Sequence, residues 1–216
     1  MPRELVNVTT VYKFDELTDK QKQVAIDKYR ENNLDYEWYD GVYEAVEQAA
    51  TILGIEIYQK SVGLMGGGTI EKPAIYFTGF SSQGDGACFE GDYNYAKGAV
   101  AAIKAEFPTD KTLHRIAADL QAVQAKEFYQ LEATVTHNDR YYHYNSVDIE
   151  VYRADDQYRD LVDGSESGVI EALRNFCKWI YKSLNDEYDY LQSDEAIKET
   201  LEANDHYEFT ESGVMV

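Results

Sequence analysis

The sequence is short of the residues that would make it several familiar kinds of protein. Two cysteines in 216 residues, Cys88 and Cys177, cannot build the disulfide framework of a small secreted domain, so a reducing cytoplasm is the expected setting. Three prolines and no Pro/Ser-rich stretch leave no evident interdomain linker. No apolar run nears the roughly 18 residues that a membrane span needs. Met1-Pro2-Arg3-Glu4 opens without the apolar stretch of a signal peptide. Lysine and arginine number 20 against 40 aspartates and glutamates, a formal charge of −20. That deficit speaks against neutralising nucleic-acid phosphates as the main activity, because counterion release requires Lys and Arg, and the same sign disfavours an anionic membrane surface.

What is there is a folded chain. Apolar residues make up 44% and aromatics 13%, enough to exclude wholesale disorder. A chain of this length hides roughly 70% of its unfolded surface and needs no staple. The acid is uneven. Residues 1–149 hold 23 Asp/Glu and 14 Lys/Arg, a net of −9, whereas residues 150–216 hold 17 and 6, a net of −11 over less than half that length. Apolar residues recur at helical spacing through this acidic part, so it is a folded element with a charged outer face rather than a low-complexity tail.

The periodicities predict the elements in order. Val6 to Phe14 alternates as a strand. Thr18 and Gln21 form a capping box for a helix from Asp19 to about Glu31. Asp35 is placed to cap a second helix, which Gly54 stops. Strands are expected at Ile55–Val62, Ala74–Phe80 and Ala87–Tyr95, with Gly63–Gly68 as a flexible connector that lacks the Gly-Lys-Ser/Thr ending of a phosphate loop. A short helix runs from Tyr95 to Phe107. Thr109 or Asp110 caps a further helix with the stripe Leu113, Ile116, Ala117, Leu120, Val123 and Phe128. Leu131–His137 and Tyr141–Tyr152 read as strands joined at Asn138-Asp139. Ser165 or Ser167 caps the longest helix, Ser193–Ala203 is a second helical stretch, and His206–Thr210 is a last strand. Tight turns between consecutive strands imply antiparallel pairing. The expected class is α+β: an antiparallel sheet of about six strands, helices packed on one face, and a long acidic C-terminal helix. It is read as a single domain over 1–216, the alternative being a subdivision near residue 108 into 1–108 and 109–216.

Two constellations can carry function. The first is charge mixed with tyrosine, of which there are nineteen, well above the ~3% of ordinary usage. Asp35-Tyr36-Glu37-Trp38-Tyr39-Asp40 and Asp186-Glu187-Tyr188-Asp189-Tyr190 combine carboxylates with rigid rings that give contact area at low entropy cost. The candidate partner-binding residues are Asp186, Glu187, Asp189, Tyr190, Asp194, Glu195, Glu199 and Glu202, with Asp35, Glu37 and Asp40. The second is the loop Gln83 to Glu90, in which Gln83, Asp85, Cys88 and Glu90 lie among glycines. It is either a polar site or a tight hairpin whose Asp and Gly serve turn geometry. An enzyme built on it would bring Asp85, Cys88 or Glu90 to His137 or His143. Two histidines six apart do not make a metal site, which wants three or four converging ligands. Neither a metal nor a cofactor is expected.

Two segments resemble a known family of small acidic proteins encoded by tailed phages and prophages. The first is Thr10-Val11-Tyr12-Lys13-Phe14-Asp15-Glu16-Leu17 with Asp35-Tyr36-Glu37-Trp38-Tyr39. The second runs from Tyr76-Phe77-Thr78-Gly79-Phe80 through Gln83-Gly84-Asp85-Gly86-Ala87-Cys88-Phe89-Glu90-Gly91. Members are often labelled as antitoxins of a toxin–antitoxin stability system. The resemblance covers the first hundred residues and implies a phage or prophage origin, with the cytoplasm of an infected or lysogenic bacterium as the setting. Taken with the charge, it implies an inhibitor of a basic host protein, itself nucleic-acid-binding or part of host defence, of the anti-restriction or anti-CRISPR type. Such an inhibitor acts by DNA mimicry and steric block, with no direct nucleic acid and no membrane as partner. The alternatives are an antitoxin-like protein covering a basic toxin and a small enzyme using the Gln83–Glu90 loop.

Overall fold

The computed structural model describes residues 10–31, 34, 37–137, 141–154 and 160–216. Helix starts and stops follow the local chemistry. Helix α1, Asp19–Arg30, opens at Thr18, whose N–H donates to the Gln21 side chain at 2.8 Å. Helix α2, Asp40–Leu53, has Tyr39 at its N-cap, and the expected cap Asp35 lies outside the described residues. Its stop is Gly54, at φ 84°, where an added Cβ would stand 2.0 Å from the Asn94 carbonyl oxygen. Only glycine meets both demands. Helix α3 is Ala99–Glu106, and helix α4, Lys111–Lys126, is capped by the Asp110 carboxylate accepting from Leu113 N–H at 2.9 Å. Helix α5, Ser165–Leu191, is the longest, and α6, Asp194–Ala203, is capped by Ser193.

The fold is α+β and its strands pair antiparallel, but not in one sheet of about six strands. A four-stranded sheet has the order β1 (Ile55–Ile57), β6 (Gly91–Asn94), β7 (Leu131–His137) and β8 (Val147–Arg153). Two hairpins stand beside it, β2 (Gln59–Gly63) with β3 (Thr69–Pro73), and β4 (Ile75–Phe77) with β5 (Ala87–Phe89). The strands expected at Ile55–Val62 and Ala87–Tyr95 each break at one residue, Tyr58 and Glu90. A third break falls at Ala74, between β3 and β4. The three breaks are bonded to one another: Tyr58 N–H to Glu90 O at 2.9 Å, Glu90 N–H to Ala74 O at 2.9 Å, and Ala74 N–H to Tyr58 O at 2.7 Å. This closed triangle of backbone bonds is where the segments exchange partners. At Tyr58 the inward positions slip by one residue, from Ile55 and Ile57 to Lys60 and Val62, but no Gly or Pro marks the break, so sequence pattern alone joins the pieces. Where terminal strands were expected, Phe209 bridges Tyr12 and Met215 singly, and Phe14–Glu16 is a 3-10 turn. Val6 to Thr9 and the expected turn at Asn138-Asp139 lie outside the described residues.

Two compact units emerge, residues 1–38 with 186–216 and residues 39–185; residue 108 lies inside the second. The smaller unit buries Phe14, Leu17, Ala25, Ile26, Ile197, Leu201 and Phe209, with the Phe14 and Phe209 rings 5.9 Å apart. The larger unit buries one face of the four-stranded sheet. Ile55, Tyr93, Ala133 and Val135 face inward, whereas Glu56, Asp92, Thr134 and Glu150 lie on the other face by register. Leu113, Ile116 and Leu120 of α4 and Leu173, Phe176 and Ile180 of α5 are buried in the same unit.

The end of α4 departs from its stripe. Phe128, expected on the buried face, lies past the helix end and is 73% exposed, while Glu127 beside it is 1% exposed. Phe128 and Tyr129 both adopt the left-handed region, φ 54° and 63°. The reason is local. The Gln124 amide is consumed by the start of β7, accepting from Leu131 N–H at 3.1 Å and donating to Leu131 O at 2.7 Å. The Gln124 carbonyl takes the Tyr129 N–H at 2.7 Å, which forces the turn. Glu127 is thereby drawn inward, where it holds Arg153 Nη1 at 2.8 Å and Val162 N–H at 2.6 Å.

Candidate functional site

The acidic constellation lies on the smaller unit's surface. Residues 186–216 hold ten acidic residues and one basic one, a net of −9 and nearly half of the charge of the whole chain. Helix α6 explains how a folded element carries this load. Ala196, Ile197 and Leu201 are buried, while Asp194, Glu195, Glu199 and Glu202 are exposed on the rest of the helix. At the end of α5, Asp186, Asp189 and Tyr190 lie toward the surface with Glu187, Tyr190 being 52% exposed. The face is not uniformly negative. Arg30 binds Asp194 through Nη2 and Asp27 through Nη1, and its Nε donates to the Gln192 carbonyl at 2.9 Å. Lys198 stands 3.7 Å from Glu202. Glu37 is exposed in the same unit; Asp40 is exposed at the start of α2 in the larger one, 4.0 Å from Lys72. The Trp38 and Tyr188 rings meet edge-on at 5.9 Å, so part of the aromatic content of the two expected motifs packs together. Asp35 and Tyr36 lie outside the described residues.

The Gln83–Glu90 stretch resolves into a turn and a separate cluster. Asp85 accepts the N–H groups of Ser81 at 2.9 Å and Ser82 at 2.6 Å. Those bonds, Ser82 foremost, hold its carboxyl below the ordinary aspartate value. This is the Asx chemistry of a turn. Gln83 is exposed. Cys88 is fully buried, and burial pushes its thiol up to about 12, so it carries almost no thiolate at neutral pH and is not an activated nucleophile.

Glu90 is different. Its Oε2 accepts the Tyr76 hydroxyl at 3.0 Å, and its Oε1 is 3.9 Å from His137 Nε2. The His137 side chain is 3% exposed, edge-on to the Tyr76 ring at 4.2 Å and to the Tyr142 ring at 5.4 Å. Lys60 Nζ lies 3.7 Å from the centre of the Tyr76 ring and donates to Ile75 O at 2.9 Å. Burial holds the Lys60 ammonium below its usual range. Of the pairings an enzyme reading required, Glu90 and His137 approach to 3.9 Å. Lys60, Tyr76 and Tyr142 join them unforeseen, because the β2–β3 hairpin that delivers Lys60 is a local pairing that periodicity does not separate from β1. At 3.9 Å, Glu90 and His137 attract as charges when the imidazole is protonated, but the gap is too long for a direct hydrogen bond. His143 instead packs against the hairpin, where a Cβ on Gly86 would lie 2.8 Å from its Cα.

An open hollow of about 250 Å³ is lined by Asp119, Ala122, Val123, Gly168, Glu171 and Ala172, with no member of the Gln83–Glu90 stretch. Among the described residues no group of three His, Cys, Asp or Glu side chains is placed to hold a metal ion, and no helix is long and apolar enough to cross a membrane. No curated protein and no solved structure matches the chain. A family model does, over residues 38–194, which takes in the whole larger unit and stops as α6 begins. The chain therefore belongs to that family, described as a domain of unknown function, DUF8835.

Proposed function

We propose that this protein acts by binding: it is an acidic inhibitor that occupies the basic surface of a nucleic-acid-binding host protein and blocks it. The observation that carries the reading is α6, whose buried Ile197 and Leu201 fix Glu195, Glu199 and Glu202 toward solvent on a rigid support. Burying one stripe of a helix and charging the other holds carboxylates in place without a ligand, so they meet a partner at little entropic cost. At a rise of about 1.5 Å per residue, these three glutamates present one charge per ~5 Å, against about 3.4 Å along one strand of a duplex. The face is thus sparser than DNA, and the reading rests on total charge and steric cover rather than on a carboxylate for every phosphate. A phage or prophage origin and the cytoplasm of the host bacterium belong to the same proposal.

The test is a pull-down from nuclease-treated bacterial lysate, eluted in steps of salt. A nucleic-acid-binding protein released at moderate salt, displaced by added duplex DNA and lost in Glu195→Lys/Glu199→Lys/Glu202→Lys supports the reading. Unchanged binding by the charge-reversed variant ends it. A small basic protein that resists both salt and DNA would instead favour the antitoxin form of the inhibitor. A second reading, a small enzyme, is favoured by the 3.9 Å approach of Glu90 to His137 beside Tyr76 and Lys60. It requires that Glu90→Gln abolish turnover of some small molecule while leaving partner binding intact.

A further inference from the structure

The turn after α4 inverts the usual placement of side chains. A carboxylate, Glu127, is 1% exposed, and the aromatic residue next to it, Phe128, is 73% exposed. Buried charge and exposed large apolar surface are the two informative departures from ordinary burial, and here they share one peptide bond. The turn is also strained: Phe128 at φ 54° and Tyr129 at φ 63° occupy the left-handed region in succession, where a Cβ is disfavoured and glycine is the usual occupant. Such conformations persist only where the surroundings over-determine them. The surroundings do so here. Glu127 is fastened to Arg153 Nη1 at 2.8 Å and to Val162 N–H at 2.6 Å. The Tyr129 ring is braced on the Tyr95 ring at 4.6 Å. The bond to Val162 brings a further exposed apolar side chain, 50% accessible, alongside the turn. It is flanked in sequence by the exposed carboxylates Asp160 and Asp163.

We propose that the Phe128–Tyr129 turn is an aromatic anchor for a basic protein, whose apolar socket closes over Phe128 while its cations meet Asp160 and Asp163. The inference rests on the reading of the chain as an acidic binder and supplies the apolar contact that charge alone lacks. Charge decides the occupant. A second copy of this chain carries a further net −20 over its whole length and would set Asp160 and Asp163 against their own kind, which like-charge repulsion opposes. A cationic partner is drawn to it, and a desolvated aromatic ring then slows its departure.

The test uses two synthetic peptides of equal length and equal positive charge, one alternating Lys with Leu and the other Lys with Ser, titrated into the full chain at low salt. The wild-type chain binds the Lys/Leu peptide more tightly. Phe128→Ala weakens that peptide about tenfold, the ordinary effect of truncating an aromatic hot spot, and leaves the Lys/Ser peptide unchanged. Phe128→Gly relaxes the left-handed strain, so it melts higher than wild type yet loses the same selectivity, which separates anchoring from folding. If Phe128→Ala binds both peptides as wild type does, the anchor is wrong and the charge reading stands. If neither peptide binds the wild type, both fall. If sedimentation shows a dimer that Phe128→Ala dissociates, the occupant is a second copy and the proposal of a basic partner is overturned.

Discussion

Cys88 shows how burial sets chemistry at a single residue. It is sealed in the core, paired with Tyr76 in the β4–β5 register, and Cys177 on α5 is equally buried. Loss of solvent raises both thiols, Cys88 to about 12. Neither thiol will be carbamidomethylated by iodoacetamide in the native chain at pH 8, and both will be in denaturant; mass spectrometry of the labelled protein checks this. A raised thiol also ties stability to pH. Its contribution is complete below the unfolded value of about 8.5, and it fades as pH rises toward the folded value, because the unfolded chain ionises first. Residue chemistry of this kind was legible in part. That a lone cysteine amid Phe89 and Ala87 would be buried follows from composition. That Phe128 would leave the α4 stripe and Glu127 would enter the core does not, since the cause is the claim of Gln124 on Leu131, a contact between elements.

The β4–β5 hairpin illustrates the element scale. Its loop owes its shape to one carboxylate, Asp85, which takes the backbone N–H groups of Ser81 and Ser82. The bonds favour the charged form and lower its pKa below the ordinary value. Stabilisation from this carboxylate is therefore complete above the unfolded value of about 3.9 and disappears as pH falls through the lower folded one. Asp85→Asn will melt below wild type at neutral pH, and thermal scans at falling pH will bring the two curves together only in acid below the usual aspartate range. Elements were more legible than residues. The capping box at Thr18 and the stop at Gly54 could be read directly, and the cap of α4 to within Thr109 or Asp110, because each is a local hydrogen bond or a backbone constraint; sequence pattern places Ser193 in the α6 stretch, and it proves to be its cap. Sheet membership could not, since the segments change partners at Tyr58, Ala74 and Glu90 through backbone bonds between elements distant in sequence.

For the whole molecule, the net charge of −20 outweighs any single ion pair. Like charges on a compact body repel, and added salt shortens the reach of that repulsion to about 8 Å at physiological ionic strength. The melting temperature will rise as sodium chloride is raised from low to physiological concentration, the reverse of what a fold held by surface ion pairs would show; calorimetry at matched protein concentration decides. The candidate site was legible at this scale as a place, the acidic part beyond residue 150, and illegible as a geometry. Periodicity places glutamates on the outer side of α6, but the pairing of Asp194 with Arg30 comes from α1, far away in sequence.

The triangle at Tyr58, Ala74 and Glu90 has a consequence for how the larger unit breathes. Each of its three amide hydrogens is held by the carbonyl of another segment, and the three donations form a cycle. No segment can pull away alone without unlocking both of its neighbours. Deuterium therefore enters all three amides through one shared opening, and the two hairpins, however well each holds itself, come loose from the four-stranded sheet together.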